Sequence, residues 1–365
     1  MNESITINPG LNFRPVFFAR YPVERLSPAQ VDALLANGWF RTGLHVQSTL
    51  GRFVDQSWKP CLMLRISLKT LSWKKKLRKI MRRNGEMFEV KIRPFAPSAE
   101  VERLWQDFKT GVHKWKNVPN LSLHLFRGRE PSAFNSWEVC IYKNGKLVAF
   151  SVFDKGGRSI AGLEAAYDVA YRKYSLGIYT MLVEMELGME EGLSYYYPGF
   201  YPKDSPMFGY KMRTGNVEFY RLRENTWLPW EEHRAADWLL DEVFDQLKAL
   251  GSRFARDKHS ATVKVFQKNN YPGQQVKLSD FNFLLVVKEV VSNGMPKVVQ
   301  VAWCPLRKKY YLFSHVPPGE HILKNGNGAW FGVNLISSPF RLAGAYGDIK
   351  SVEAAAKKML AGFSF

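Results

Sequence analysis

The stretch Tyr171–Arg213, YRKYSLGIYTMLVEMELGMEEGLSYYYPGFYPKDSPMFGYKMR, decides how this chain is read. Tyr171 to Gly177 is a basic turn that carries a glycine. From Ile178 to Glu191 the pattern is helical, with Ile178, Leu182 and Met185 on one face and Glu184, Glu186, Glu190 and Glu191 mostly on the other. Gly192 stops the helix, and Leu193–Tyr201 is an aromatic run of strand character. A proline-rich loop follows and ends at Tyr210-Lys211. A basic turn that opens a helix offers unpaired backbone N–H groups to an anion, so a phosphate-bearing ligand would sit there. The same spacing also fits an ordinary strand–turn–helix of a mixed sheet.

The 365 residues carry 52 basic against 33 acidic side chains, a net charge of +19. Such an excess favours a polyanionic partner, most often nucleic acid. Hydrophobic residues at 46% and charged residues at 23% are a globular composition that excludes wholesale disorder, and the length allows two domains with sizeable cores. Cys61, Cys140 and Cys304 are too scattered to form a zinc site or a disulfide framework by themselves. The opening MNESITINPG lacks the layout of a signal peptide, and no apolar run is long enough to span a membrane. A soluble, cytoplasmic protein with no membrane contact is expected.

Leu71–Asn84 reads LSWKKKLRKIMRRN. Trp73, Leu77, Ile80 and Met81 form the apolar stripe of a helix. Lys74, Lys75, Lys76, Arg78, Lys79, Arg82 and Arg83 form its basic face, with no acidic residue between them. A solvated helix normally mixes signs in i,i+4 pairs. The face is therefore read as a contact to a phosphate backbone, driven by counterion release, with a merely solvated face as the alternative. Arg172 in the basic turn joins this set.

Downstream, Ser98 caps a helix whose Val101, Leu104, Trp105, Phe108, Val112 and Trp115 keep helical spacing. Trp137–Tyr142 and Lys146–Phe153 flank Asn144-Gly145, a type I′ hairpin signal, and Ser159–Tyr167 is the next strand. Past an edge at Trp227–Pro229 come a helix over Glu231–Leu250 and a linker over Gly251–Ser260. Strand-like segments up to Ser314, with a turn at Asn293-Gly294, and a closing helix Val352–Leu360 make a small α+β domain. Near the start, Phe13, Phe17 and Phe18 are candidate anchors.

Ser175-Leu-Gly-Ile-Tyr179, Leu193-Ser-Tyr-Tyr-Tyr-Pro-Gly-Phe-Tyr201 and Pro206 with Tyr210-Lys211 resemble the signature of the aminoacyl-tRNA–protein transferases, the arginyl- and leucyl-transferases. Cys61-x-x-x-Arg65, Arg82-Arg83-Asn84, Gly145–Ala149 with Asp154, and Tyr167-Asp168 look like further elements of that family. The resemblance covers roughly residues 15–230. It departs at the N-terminus, where the family's cysteine cluster is reduced here to Cys61. The order strand, helix, hairpin, strand, turn, helix, strand is also that of GNAT-type acyltransferases, although Ser175 stands where their pyrophosphate loop has its first glycine. The fold implied is α+β: a GNAT-like mixed-sheet core over 86–230, preceded by an N-terminal region with the basic helix (1–85). A helix and linker (231–260) and the small α+β domain (261–365) follow it.

The resemblance implies transfer of an amino acid from aminoacyl-tRNA, as co-substrate, to the N-terminus of an acceptor protein or peptide, with no cofactor and no metal. The donor ester is already activated and an α-amine has a pKa near ~8. The enzyme then needs orientation, an oxyanion donor and a proton relay. Backbone N–H groups near 174–177, or the hydroxyls of Tyr196 and Tyr201, could meet the oxyanion; Asp154 or Asp168 could hold an ammonium; Lys211 and Arg213 could read an acidic side chain. Asp154, Tyr196, Tyr210 and Lys211 form the candidate catalytic set, and Asp168, Ser175, Gly177, Tyr201 and Arg213 the substrate-binding set. Asp154 reads equally as a turn carboxylate, and Tyr195, Tyr196 and Tyr197 cannot all face one site because strand residues alternate. A CoA-dependent N-acyltransferase, a non-catalytic RNA-binding module and a FemX-like transferase to peptidoglycan remain alternative readings.

Overall fold

Asn144 and Gly145 sit at φ 51° and 74°, the two left-handed positions that a type I′ turn demands. They join β7 (Ser136–Lys143) to β8 (Lys146–Lys155) as the pattern predicts. This computed structural model describes residues 18–54, 57–114, 116–257, 259–265, 283–290, 296–315 and 340–362. Phe13, Phe17, Trp115 and the Asn293-Gly294 turn lie outside the described residues, as does the side chain of Phe18. The chain divides into two units, Met1–Asp237 and Trp238–Phe365.

The first unit begins with β1 (Phe18–Pro22), α1 (Pro28–Ala36), β2 (Phe40–Thr42), β3 (His45–Thr49) and β4 (Gly51–Val54). Ser27 caps α1 through a reciprocal box with Gln30, and Pro28 takes its first position. Next come β5 (Ser57–Ser67), the basic helix α2 (Lys75–Met87), β6 (Glu89–Pro94), α3 (Ala99–Gly111) and α4 (Leu121–Phe126). Ser98 caps α3 by accepting from the Val101 N–H at 3.3 Å. After the β7–β8 hairpin follow β9 (Ser159–Tyr167), α5 (Leu176–Glu190), β10 (Tyr195–Pro202), β11 (Val217–Arg221) and β12 (Thr226–Pro229).

β1, β3 and β2 form a three-stranded sheet, and the other nine strands form a second in the order β12-β11-β5-β10-β9-β8-β7-β6, with β4 paired to β5. The first 85 residues do not stand apart, because β5 lies between β10 and β11 and pairs antiparallel with both. α1, α3 and α4 close one face over a core that includes Leu34, Trp105, Phe126, Phe150 and Phe200. α5 packs on β8 and β9 and carries α2 against it. The basic helix starts later than its apolar stripe suggested, so Trp73 precedes it, and it runs on through Gly85.

In the second unit α6 (Leu239–Arg256) precedes the strands β13 (Ser260–Val265), β14 (Phe283–Val290), β15 (Pro296–Cys304), β16 (Lys309–His315) and β17 (Phe340–Tyr346). They form one antiparallel sheet in chain order, and α7 (Ile349–Gly362) follows. The linker read at Gly251–Ser260 is a correction: α6 continues through Gly251 to Arg256, because Phe254 is buried on the same stripe as Leu247 and Leu250. Trp303 and Tyr310 tie this sheet to α6 through Glu242 and Gln246.

Candidate active site

Parallel strands β9 and β10 pair only at Ser159–Tyr195, Ile160–Tyr196 and Ala161–Tyr197. Pro198 then has no N–H to offer a neighbour, and Gly199 turns to φ 80° where β10 shifts register against β5. β9 is bulged at the same level: Phe153 faces Gly162 and Val152 faces Glu164, leaving Leu163 unpaired. The two strands therefore fork beyond Ala161 and Tyr197. In parallel sheets ligands sit in crevices at the carboxyl ends of diverging strands, and this fork opens beside the start of α5.

The turn leading to α5 is built by its own residues and by α2. Asp168 caps the Val169–Tyr174 turn by accepting from the Ala170 N–H at 3.0 Å, and Lys146 bridges it at 2.9 Å. That hydrogen bond from Lys146 holds the Asp168 carboxyl below its usual range. Ser175 stands at φ 56° as the α5 N-cap, with no side-chain capping bond. From α2, buried Asn84 donates to the Tyr174 carbonyl at 2.9 Å, and Arg83 lies over the Tyr174 ring at 5.1 Å. Lys74, Lys75, Lys76, Arg78, Lys79 and Arg82 are exposed, and so are Arg172 and Lys173 in the turn that Asn84 holds. One basic surface thus runs from α2 to the mouth of α5.

Within the fork, Lys211 of the 206–213 turn donates to the carbonyls of Pro198 at 2.5 Å and Phe200 at 2.9 Å. It satisfies main-chain acceptors of β10 past the end of pairing with β9. Burial brings its amine down to about 7, with Arg52 acting the same way and Glu164 opposing. Glu164, on the β9 bulge, meets Lys109 at 3.1 Å and His124 at 3.3 Å. Burial alone would raise its carboxyl, but the His124 hydrogen bond and the Lys109 charge bring it to about 2. Half-buried Tyr210 carries a phenol raised by burial and by the charges of Glu164 and Glu184. Across β9, Glu184 accepts from the Tyr196 hydroxyl at 2.7 Å, and burial pushes its carboxyl up to about 7. A groove of about 400 Å³ lies alongside, floored by Leu104, Phe108 and Tyr167 and rimmed by Lys146 and Asp168.

Several of the residues expected at the site already have partners within the fold. Asp154 is 1% exposed and takes both arms of Arg41, at 2.6 and 2.9 Å, with Ser136 donating at 2.6 Å. It anchors β2 to β8, with both carboxylate oxygens taken up by Arg41 and Ser136. Asp168 serves the turn and Lys146. The Tyr196 hydroxyl donates to Glu184, and Tyr201 packs edge-on against Trp230 at the β11–β12 side. Arg213 is exposed, and a Cβ on Gly177 would meet the Tyr167 ring at an ordinary 3.5 Å. Glu184, read as mostly on the polar face of its helix, is buried. Glu164, Lys109 and His124 carried no sequence signal, because only the bulge and the α3–α4 packing bring them together. Cys61 and Cys140 are buried thiols pushed up to about 12. Among the described residues no group of three His, Cys, Asp or Glu side chains is placed to hold a metal, and no helix is long and apolar enough to cross a membrane.

Residues 100–221, from α3 through β11, match the family described as arginine-tRNA-protein transferase, C terminus. An aspartate/glutamate leucyltransferase of Helicobacter hepaticus is 23% identical over 203 residues, 54% of this chain and 81% of that protein. The arginyl-tRNA–protein transferase 1 of Saccharomyces cerevisiae is 36% identical over 160 residues, 36% of this chain and 32% of the yeast protein. Among solved structures, L-PGS from Bacillus licheniformis aligns over 51% of this chain and 54% of its own at 17% identity, with a TM-score of 0.30. The matched segment contains the fork, the α5 entrance and the Lys211 turn, and through it the chain is related to the aminoacyl-tRNA–protein transferases.

Proposed function

We propose that this chain transfers an amino acid, of the arginyl or leucyl type after which its relatives are named, from tRNA to a protein N-terminus in the cytoplasm. The observation that carries this reading is the continuity of the basic α2 surface with the α5 entrance, beside the β9–β10 fork. Phosphates of the tRNA acceptor arm contact Lys75, Lys79, Arg82 and Arg172, and the 3′ end reaches the α5 N-terminus, where backbone N–H groups are unpaired. The aminoacyl ester lies in the fork, and the divergence of parallel β9 and β10 is what supports reading the core as GNAT-like. The acceptor is an acidic N-terminal residue, as the leucyltransferase names suggest, with Arg213 and Lys211 on its side of the fork.

No cofactor enters this reaction. The C–N bond forms as the ester C–O bond breaks, and the 3′ hydroxyl leaves with a proton taken from the amine. The test is transfer of radiolabelled amino acid from total aminoacylated tRNA to proteins that begin with Asp, Glu, Lys or Arg. Incorporation that requires the tRNA and depends on the first residue is expected. Thermal stabilisation by acetyl-CoA with no tRNA-dependent incorporation would instead establish a CoA-dependent acyltransferase.

A further inference from the structure

Glu184 is an acidic residue buried in the middle of α5, 1% exposed, and its partner is the Tyr196 hydroxyl. Burying an ionised carboxylate costs heavily unless it is paired, and among the described residues no Lys or Arg bonds to this one. Its place in the sheet is particular. Tyr196 is one residue from the last β9–β10 pair, and its side chain points to the α5 side, opposite to Tyr195 and Tyr197, which meet each other. The ring reaches under β9 to Gly162, the first β9 residue of the fork.

A Cβ on Gly162 would fall 2.5 Å from the Tyr196 hydroxyl and 3.2 Å from Glu184 Oε2. Glycine therefore lets this pair press against β9. Gly162 itself is half-exposed, as are Leu163, Glu164 and Ala165, whereas Tyr196 and Glu184 are buried. The hydroxyl thus lies at the vertex of the fork, where Gly162 places no side chain over it, and the carboxyl lies behind the hydroxyl.

We propose that Tyr196 and Glu184 form the proton relay of the transfer reaction, with Tyr196 touching the reacting groups and Glu184 acting through it as a positioning residue. The inference rests on the transfer reading above. As the α-amine attacks the ester carbon, an N–H proton passes to the Tyr196 oxygen while the Tyr196 proton passes to Glu184 Oε2. When the C–O bond breaks, the same two steps run in reverse and deliver the proton to the 3′ oxygen, so the relay ends as it began. Burial raises the Glu184 carboxyl to about 7, which sets its proton affinity near that of the working medium. The groups facing it are Tyr196 from β10, Ser151 from β8 and, across the vertex, Tyr210 of the 206–213 turn.

The test is the pH dependence of transfer on the full chain. In the parent protein two groups must be deprotonated, the acceptor amine near ~8 and Glu184, so the logarithm of kcat/KM falls with slope two on the acid side. In Glu184→Gln the slope falls to one and the rate drops roughly a hundredfold, while aminoacyl-tRNA binding is unchanged. Tyr196→Phe keeps the ring packing and gives the same loss of slope, which covers the case in which Glu184→Gln does not fold. Retention of slope two in either folded variant overturns the relay. Absence of any tRNA-dependent incorporation by the parent protein overturns the transfer reading itself.

Discussion

Asn84 of α2 donates its side-chain amide to the main-chain carbonyl of Tyr174 across 90 residues of sequence, at 2.9 Å and fully buried. With the bond from Arg83 to the Lys173 carbonyl at 3.4 Å, it ties the basic helix to the turn that opens α5. Replacing Asn84 by Ala or Leu leaves a buried carbonyl without its donor, which costs about 1–3 kcal/mol. Denaturant unfolding should show this loss. The Asn84→Leu protein should also lose tRNA affinity although no basic residue has changed, because the ridge and the α5 entrance lose their register.

Charge reversal at Lys75, Lys79 and Arg82 should weaken tRNA binding and flatten its dependence on salt. Each lost phosphate contact lowers the slope of log affinity against log salt by somewhat under one. Binding measured between low and physiological salt gives the slope, and an unchanged slope would move the tRNA contact elsewhere.

Asp154 and Arg41 make a buried pair that is all but closed to solvent, with side-chain exposures of 2% and 3%. Removing one member strands the other charge, so Asp154→Ala should cost about 3–5 kcal/mol. A double replacement, Arg41→Met with Asp154→Leu, should recover much of it. Transfer activity per folded molecule should survive in the double variant, because the carboxylate is already taken up by Arg41 and Ser136.

Lys211 gives a stability prediction with a definite sign. Its amine is lowered from the ordinary 10.5 to about 7 by burial. The unfolded chain therefore binds a proton more tightly than the native chain across that window, and stability should rise with pH between about 7 and 10.5. A neutral amine still has two N–H groups for the two carbonyls it serves. In Lys211→Met this pH-linked gain disappears, as chemical denaturation at a series of pH values would show.

At Gly162, substitution by Ala places a methyl group against the Tyr196 hydroxyl. A destabilisation of about 1–3 kcal/mol is expected from the overpacking, together with loss of the Tyr196–Glu184 hydrogen bond. The spectroscopic pH titration of the tyrosines would report that second effect.

Local chemistry was legible in the sequence, and long-range pairing was not. The Asn144-Gly145 turn, the Ser98 cap and the alternation of Tyr195–Tyr197 each depend on a few adjacent residues, and each is present as read. Asp154 misled because its partner, Arg41, lies 113 residues away. Glu184 misled because amphipathic spacing assigns an acid to water, and only Tyr196 and the gap at Gly162 explain its burial. The fork had a visible cause in Pro198-Gly199, but its meaning needed the parallel pairing of β9 with β10, which no local pattern states. Lys109, Glu164 and His124 meet only because β9 is bulged.

β5 ends at Ser67 and sits between β10 and β11, whose residues arrive some 130 to 150 positions later. During synthesis β4 can pair with the first residues of β5, but Cys61–Ser67 emerges with its edges bare, because β10 is complete only at Pro202 and β11 only at Arg221. An exposed strand is a template for the wrong partner, so the interval between Ser67 and Arg221 is when this protein is most open to aggregation. Pauses or chaperone engagement in that interval would govern how much of it is made in usable form.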